Sequence, residues 1–163
     1  MHPAINLCAM EPADAAAVAS LIRRSFAAQS VPTDPPASAL RVTAEDVCAA
    51  LRAGGGAVVR AGPALAGSVL WSEKDGGLYV GRLAVDPAWR RQGLARRLLD
   101  AAEAAARARA LPRVWLETRL VLQDNRLLFA AHGFREVSHH AHPGYASPTF
   151  VRMQKQLDRS VRT

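Results

Sequence analysis

Lysine is nearly missing from this chain of 163 residues: Lys74 and Lys155 are the only two, so the formal net charge of +7 rests on arginine. Cysteine is as scarce. Cys8 and Cys48 stand far apart and form no C-x-x-C spacing, which excludes a disulfide scaffold and a zinc ribbon. Both read as small buried residues in a reducing cytoplasm. No apolar run approaches the roughly 18 residues of a membrane span. Met1-His2-Pro3-Ala4 shows no basic stretch leading into an apolar one, so no secretory signal is expected. No G-x-G-x-x-G follows a strand, which argues against a dinucleotide-binding enzyme. The arginines are not interleaved with aromatics, and no DNA- or RNA-reading motif is present. A nucleic-acid partner is therefore disfavoured despite the charge.

What remains is a globular composition, 50% hydrophobic and 21% charged, in a length suited to one domain over 1–163 with a real core. Ile5 to Met10 alternates like a strand. Ala13 to Gln29 carries Val18, Leu21, Ile22 and Phe26 at helical spacing. Ser30 to Ser38, with Pro32, Pro35 and Pro36, predicts a loop. Thr43 with Asp46 predicts a cap on a second helix that ends near Gly54-Gly55-Gly56, a triplet better suited to stopping a helix than to cradling phosphate. Ala57 to Arg60 and Leu65 to Trp71 form a hairpin about Gly62-Pro63, and another strand follows the turn Asp75-Gly76-Gly77. Thr149 to Gln156 supplies the last strand, and a polar tail runs from about Asp158.

The most informative segment is Leu78 to Ala110. A strand, Leu78 to Val85, meets the turn Asp86-Pro87, then Arg90-Arg91-Gln92-Gly93-Leu94-Ala95, then a long alanine-rich helix. Leu94, Leu98, Ala102 and Ala105 form its buried face, with Arg97, Glu103 and Arg107 on the outside. A helix start of this kind aims unpaired N–H groups at one spot, and the dipole and the cluster Arg90, Arg91, Arg96 and Arg97 add positive potential there. The spot suits a phosphate or pyrophosphate. A second block follows: Val114 to Thr118 as a strand, then a helix from Asn125 through Phe129 to Gly133-Phe134.

These two blocks together resemble the GNAT superfamily of acyl-CoA-dependent N-acyltransferases. Arg90, Gly93 and Ala95 fill the defined positions of its Gln/Arg-x-x-Gly-x-Gly/Ala signature. The resemblance implies an α/β (α+β) fold, with a central mixed, mostly antiparallel sheet of six to seven strands. That sheet would be splayed in the middle and flanked by about four helices. It also implies acetyl-CoA as acyl-donor co-substrate and a small-molecule or peptide amine as acceptor. Relatives are often dimers, so a homodimer is the family expectation. The backbone of Leu83, Ala84 and Val85 would pair with the cofactor's pantetheine arm. The N–H groups of Gln92, Gly93, Leu94, Ala95 and Arg96 would meet its pyrophosphate, with Arg90 and Arg91 beside them. Asn125 would either bond the cofactor or cap its helix.

Direct attack of an amine on a thioester needs no protein nucleophile. It needs a base for the amine's proton, an N–H for the oxyanion and an acid for the departing thiolate. Many family members carry a tyrosine four residues past the Asn as that acid. This chain has Phe129, which cannot donate, so a catalytically degenerate acyl-CoA sensor of the same fold is the rival reading. Tyr145, between the last two strands, is the substitute acid, and Glu117 the candidate base unless Arg119 or Arg82 pairs with it. His139-His140-Ala141-His142 lacks a completing Cys or carboxylate, so no metal is expected. His140 and His142 instead suit a base or acceptor binding near the cleft mouth.

Overall fold

The computed structural model describes residues 4–29 and 31–157. The expectations for Met1 to Pro3, for Ser30 and for the tail from Asp158 lie outside the described residues. Among the described residues seven strands form one sheet in the order β1-β2-β3-β4-β5-β7-β6. In sequence they are β1 (Ile5–Ala9), β2 (Gly55–Ala61), β3 (Ala64–Lys74), β4 (Gly77–Val85), β5 (Arg113–Arg119), β6 (Arg135–His140) and β7 (Phe150–Gln156). Neighbours pair antiparallel except β4 and β5, which run parallel and are joined by a helix. A parallel pair requires such a crossover.

Alternation along β2 assigns the two layers. Val58 belongs to the core under α1 (Ala15–Ala27) and α2 (Ala44–Ala53), together with Val18, Leu21, Ile22 and Leu70. Val59 points to the opposite face, where α3 (Leu94–Ala108) and α4 (Gln123–Ala131) contribute Leu94, Leu98, Leu99 and Phe129. The mixed sheet and four helices are those expected from sequence.

Local signals explain most boundaries. Thr43 and Asp46 form a reciprocal capping box at α2, which satisfies two otherwise orphaned N–H groups. The glycine triplet stops α2 as expected, with Gly54 as the C-cap, and it also opens the next strand. Gly55 and Gly56 are the first residues of β2, paired with Trp71 and Leu70. Gly54 has an ordinary negative φ, but a Cβ there would meet the Trp71 carbonyl at 1.9 Å; close approach, not turn geometry, requires glycine. On α3 the buried face is Leu94, Leu98, Leu99, Ala102 and Ala106. Glu103 is not a solvated residue: its side chain is 12% exposed and bonds Lys155 at 2.7 Å. Cys8 and Cys48 are half-buried and free rather than fully buried.

Candidate active site

β4 and β5 are joined over a short length. Their registered pairs are Leu78 with Val114 and Tyr79 with Trp115, and past Tyr79 the two strands separate. On its other edge β4 is bulged. Pairing with β3 jumps from Ser68 opposite Ala84 to Leu70 opposite Gly81, so Arg82 and Leu83 together face a single β3 residue. Arg82 takes a left-handed φ of 54°, uncommon for a residue with a Cβ and costing on the order of 1–3 kcal/mol. A bulge bends its strand, and here it widens the gap. Into that gap opens a cavity of about 690 Å³ lined by residues of β4, β5, α4 and the loops after α1 and β6.

The turn leading from β4 into α3 lies beyond one end of the gap. Asp86 accepts from the Ala88 N–H at 2.9 Å and starts a 3₁₀ turn, Pro87–Trp89. Arg91 (φ 64°) and Gly93 (φ 75°) are both left-handed, and no atom lies within 4 Å of where a Gly93 Cβ would stand. Left-handed residues alternating with ordinary ones curl backbone N–H groups around a concavity that suits anions. The N–H groups of Leu94, Ala95 and Arg96, in the first turn of α3, have no helical acceptor. The turn is fastened to α1 by an ion pair of Arg24 with Asp86 at 3.1 Å, and by Arg90, which donates to the Ser25 carbonyl at 3.1 Å. The Arg90 guanidinium is thus engaged with α1, and Arg90, Arg91 and Arg96 are all exposed.

The expected site residues divide between the cavity and its surroundings. Leu83, Glu117, Asn125, Phe129 and His142 line it. The Ala84 side chain instead packs beneath α1 and α2. Glu117 pairs with Arg152 at 3.4 Å rather than with Arg119 or Arg82. Asn125 lies inside the first turn of α4, whose N-cap is Leu122, so it does not serve as the cap. Phe129 packs edge-on against Phe134 at 6.0 Å. His140 stacks on Phe150 and His142 meets the same ring edge-on, with ring centres 5.2 Å and 4.9 Å away. His142 bonds Thr149 through Nδ1 and borders the cavity. Burial, and then the Arg119 charge, hold its pKa below the ordinary value. His140 lies outside the lining, its Nε2 bonded to Ser138 at 2.7 Å. The Tyr145 hydroxyl donates to Asp34 at 2.6 Å, tying the β6–β7 loop to the loop after α1, and Tyr145 also lies outside the lining. Tyr79 borders the cavity, and burial raises its pKa above the ordinary value.

The histidines do not gather into a metal set: His139 contacts Glu136 at 3.3 Å while its neighbours take Ser138 and Thr149. Among the described residues a different group converges, with the ligand atoms of Asp100, Glu103 and His132 within 4.8 Å of one another. Asp100 and Glu103 share a face of α3, but His132 comes from the end of α4, so only the fold joins them. Lys155 and His132 already supply partners to Glu103, which accounts for the cluster as a tie between α3, α4 and β7. Sequence reasoning also gave Arg82 no role beyond pairing with Glu117. Its signal is the place of the bulge, which the strand register sets at Arg82–Leu83.

The model of the acetyltransferase (GNAT) family matches residues 18–134. The chain belongs to this family. Several solved acetyltransferase folds superpose on this GNAT chain over nearly their whole length. The ribosomal-protein-S18-alanine N-acetyltransferase of Escherichia coli does so with a TM-score of 0.75 at 17% identity, covering 98% of this chain and 100% of that one. yncA of Salmonella typhimurium, solved with its cofactor acetyl-CoA, gives 0.72 at 16% identity over 98% of each chain. The paia N-acetyltransferase of Thermoplasma acidophilum, in complex with coenzyme A, gives 0.76 at 14%, covering 94% of this chain and 99% of that one. No curated protein sequence matches the chain significantly. Among the described residues, no helix is long and apolar enough to cross a membrane.

Proposed function

We propose that this GNAT chain moves an acetyl group from acetyl-CoA to a primary amine by direct attack. The observation that carries the reading is one line of features along β4: the gap after Tyr79, the bulge at Arg82–Leu83 and the left-handed anion turn at Arg91–Gly93. A strand edge without a partner supplies N–H and C=O groups for the pantetheine amides, and the turn supplies N–H groups for the pyrophosphate. Two solved relatives of the same fold hold coenzyme A or acetyl-CoA. Leu83, Ala84 and Val85 would serve the arm through their backbone. Gln92 to Arg96 and the Arg91 side chain would serve the pyrophosphate, with Arg90 holding the turn in place. Asn125 and Phe129 would border the thioester end.

In the reaction the amine nitrogen forms a bond to the thioester carbonyl carbon, and an N–H of β4 steadies the oxyanion. The C–S bond then breaks and coenzyme A leaves as a thiolate. An alkylamine titrates near pH ~10.4, so its proton must be taken. His142 is the base we assign: it borders the cavity, and its lowered pKa keeps the imidazole neutral at neutral pH. If Nδ1–H donates to Thr149, Nε2 is left with a lone pair. Glu117 on the facing strand is the second acceptor for that proton. Phe129 cannot protonate the thiolate and the Tyr145 hydroxyl is committed to Asp34. We assign that step to Tyr79, whose raised pKa keeps its phenol protonated.

Calorimetric titration with acetyl-CoA, repeated with Arg91→Glu, tests the site. Micromolar binding that weakens by about 30-fold or more in the variant is expected, since a favourable charge contact worth roughly 1–2 kcal/mol becomes repulsive. Absence of binding to wild type would overturn the assignment. Binding without release of free thiol from any amine would favour the acyl-CoA sensor instead.

A further inference from the structure

The acceptor end of the cleft carries a cationic lobe that the transfer chemistry does not use. Beside the main cavity is a second of about 420 Å³, and the two share Ser38, Ala50, Leu70 and Arg82 in their walls. The second is otherwise lined by Arg41, Val42 and Asp46. Its charges are two guanidinium groups against one carboxylate. Asp46 is occupied chiefly by the α2 cap: it accepts from the Thr43 N–H at 2.9 Å, and that bond first, with a smaller contribution from the Arg82 charge, holds its pKa below the ordinary range. Arg82 donates to Ser38 Oγ at 2.9 Å, which leaves the hydroxyl hydrogen of Ser38 free to point into the lobe. Arg41, the last residue of the 3₁₀ turn Ser38–Arg41, is exposed and lines the same lobe. The third arginine of the cleft, Arg119, is not available in the same way, because it donates to the Pro35 carbonyl at 2.6 Å.

Arg82 stands on the strained bulge residue that widens the gap, so one deformation both opens the cleft and sets a guanidinium between its two compartments. The lining of the main cavity includes the apolar and aromatic side chains of Phe26, Leu70, Trp71 and Tyr79, and Leu70 is shared with the lobe. We infer that the acceptor is a compact amine with an apolar or aromatic body and one anionic group, a carboxylate or phosphoryl, held by Arg82, Arg41 and the Ser38 hydroxyl. This rests on the acetyl-transfer reading and adds the acceptor's chemical class. A guanidinium fork with an adjacent hydroxyl donor matches the two-oxygen face of such a group. A polycationic acceptor would meet two like charges there.

The test compares matched amines that differ only in the acid: phenylalanine with phenethylamine, tryptophan with tryptamine, and the aminophosphonate analogue of phenylalanine. Thiol release from acetyl-CoA is followed in each case. The acid-bearing member is expected to show a KM at least ~10-fold lower, the worth of a charge-assisted hydrogen bond in a half-buried site. Arg82→Gln and Arg41→Gln should each raise that KM by about 10-fold more than they raise the KM for phenethylamine, with Arg82→Lys recovering part of the loss. The aminophosphonate and the amino acid separate phosphoryl from carboxylate. Equal KM values within a pair, equal effects of the variants on both members, or preference for a peptide amine would overturn the proposal. A second readout does not depend on turnover. Calorimetry with 3-phenylpropanoate and 3-phenylpropanol should show binding of the acid alone, lost in Arg82→Gln. If acetyl-CoA fails to bind while the acid binds in this manner, the lobe stands and the transfer reading falls. If acetyl-CoA is bound and consumed while the acid and alcohol behave alike, the lobe falls.

Discussion

At the scale of single residues, His142 is where environment turns a common side chain into a candidate base. Its loop neighbours were readable as a histidine cluster, but what separates His142 from His139 and His140 is position against Phe150, Thr149 and the cavity. No spacing rule supplies that. Because burial lowers its pKa below 6.5, kcat/KM corrected for free amine should rise with pH through a midpoint under 6.5 and be flat from neutrality upward. His142→Gln should remove that limb and cost roughly 100-fold in kcat, at the low end of general-base contributions; a pH–rate profile of both proteins decides it. The linkage sign agrees. Below pH ~6.5 the unfolded chain binds a proton that the folded site resists, so this group destabilises the fold as pH falls from 6.5 through the folded-state value. The anion turn, by contrast, was largely legible, since Gly93 and its arginines sit at fixed offsets from a helix start. The left-handed φ of Arg91 was not legible, because nothing in an arginine announces it.

Elements were read more surely than their ends. The hairpin about Gly62-Pro63, the cap at Thr43 and the long helix after Gly93 all stand where hydrophobic period and turn chemistry put them. Ala110 shows why an end can mislead. α3 closes with the Leu111 N–H bonded to the Ala106 carbonyl at 2.9 Å and the Ala110 N–H bonded to that of Arg107 at 3.0 Å. That is the double bond pattern of a Schellman stop, with alanine in its left-handed position at φ 56°. Glycine is the residue that normally signals such a stop, so the sequence offered Pro112 instead. Ala110 is exposed and loses no packing on substitution. Ala110→Gly should therefore stabilise the protein by about 1 kcal/mol in chemical denaturation and leave acetyl-CoA affinity unchanged. A loss of stability would mean that the strain is relieved elsewhere. Glu103 misled in the other direction. On a helical wheel it belongs to the polar face, and only the arrival of His132 and Lys155 from later in the chain encloses it.

For the whole molecule, the fold class was implied by the family resemblance of the two blocks, and the β-α-β crossover between parallel strands agrees with it. The acceptor's chemistry did not follow. Arg41 and Arg82 lie on separate elements, and they share a lobe with Ser38 only after the turn Ser38–Arg41 has packed on α1 and α2 has packed on β3. Net charge was equally mute: arginine spread over the surface and arginine gathered in a lobe have the same composition.

The short seam between β4 and β5 makes the protein two half-sheets, β1–β4 and β5–β7, latched by a pair of rungs and one crossover helix. Such a molecule carries a built-in vacancy in its hydrogen-bond ladder, and a ligand with amides spaced along a flexible arm can act as the missing rungs. Occupancy should then be felt as mechanical closure. Hydrogen exchange at Leu83, Leu116 and Glu117 should slow on saturation with acetyl-CoA, and stability should rise by about 2.7 kcal/mol at a hundredfold excess over Kd. Unchanged exchange at these amides would show that the arm bridges nothing. In the unliganded chain, the two halves should breathe against each other more readily than strands within either half.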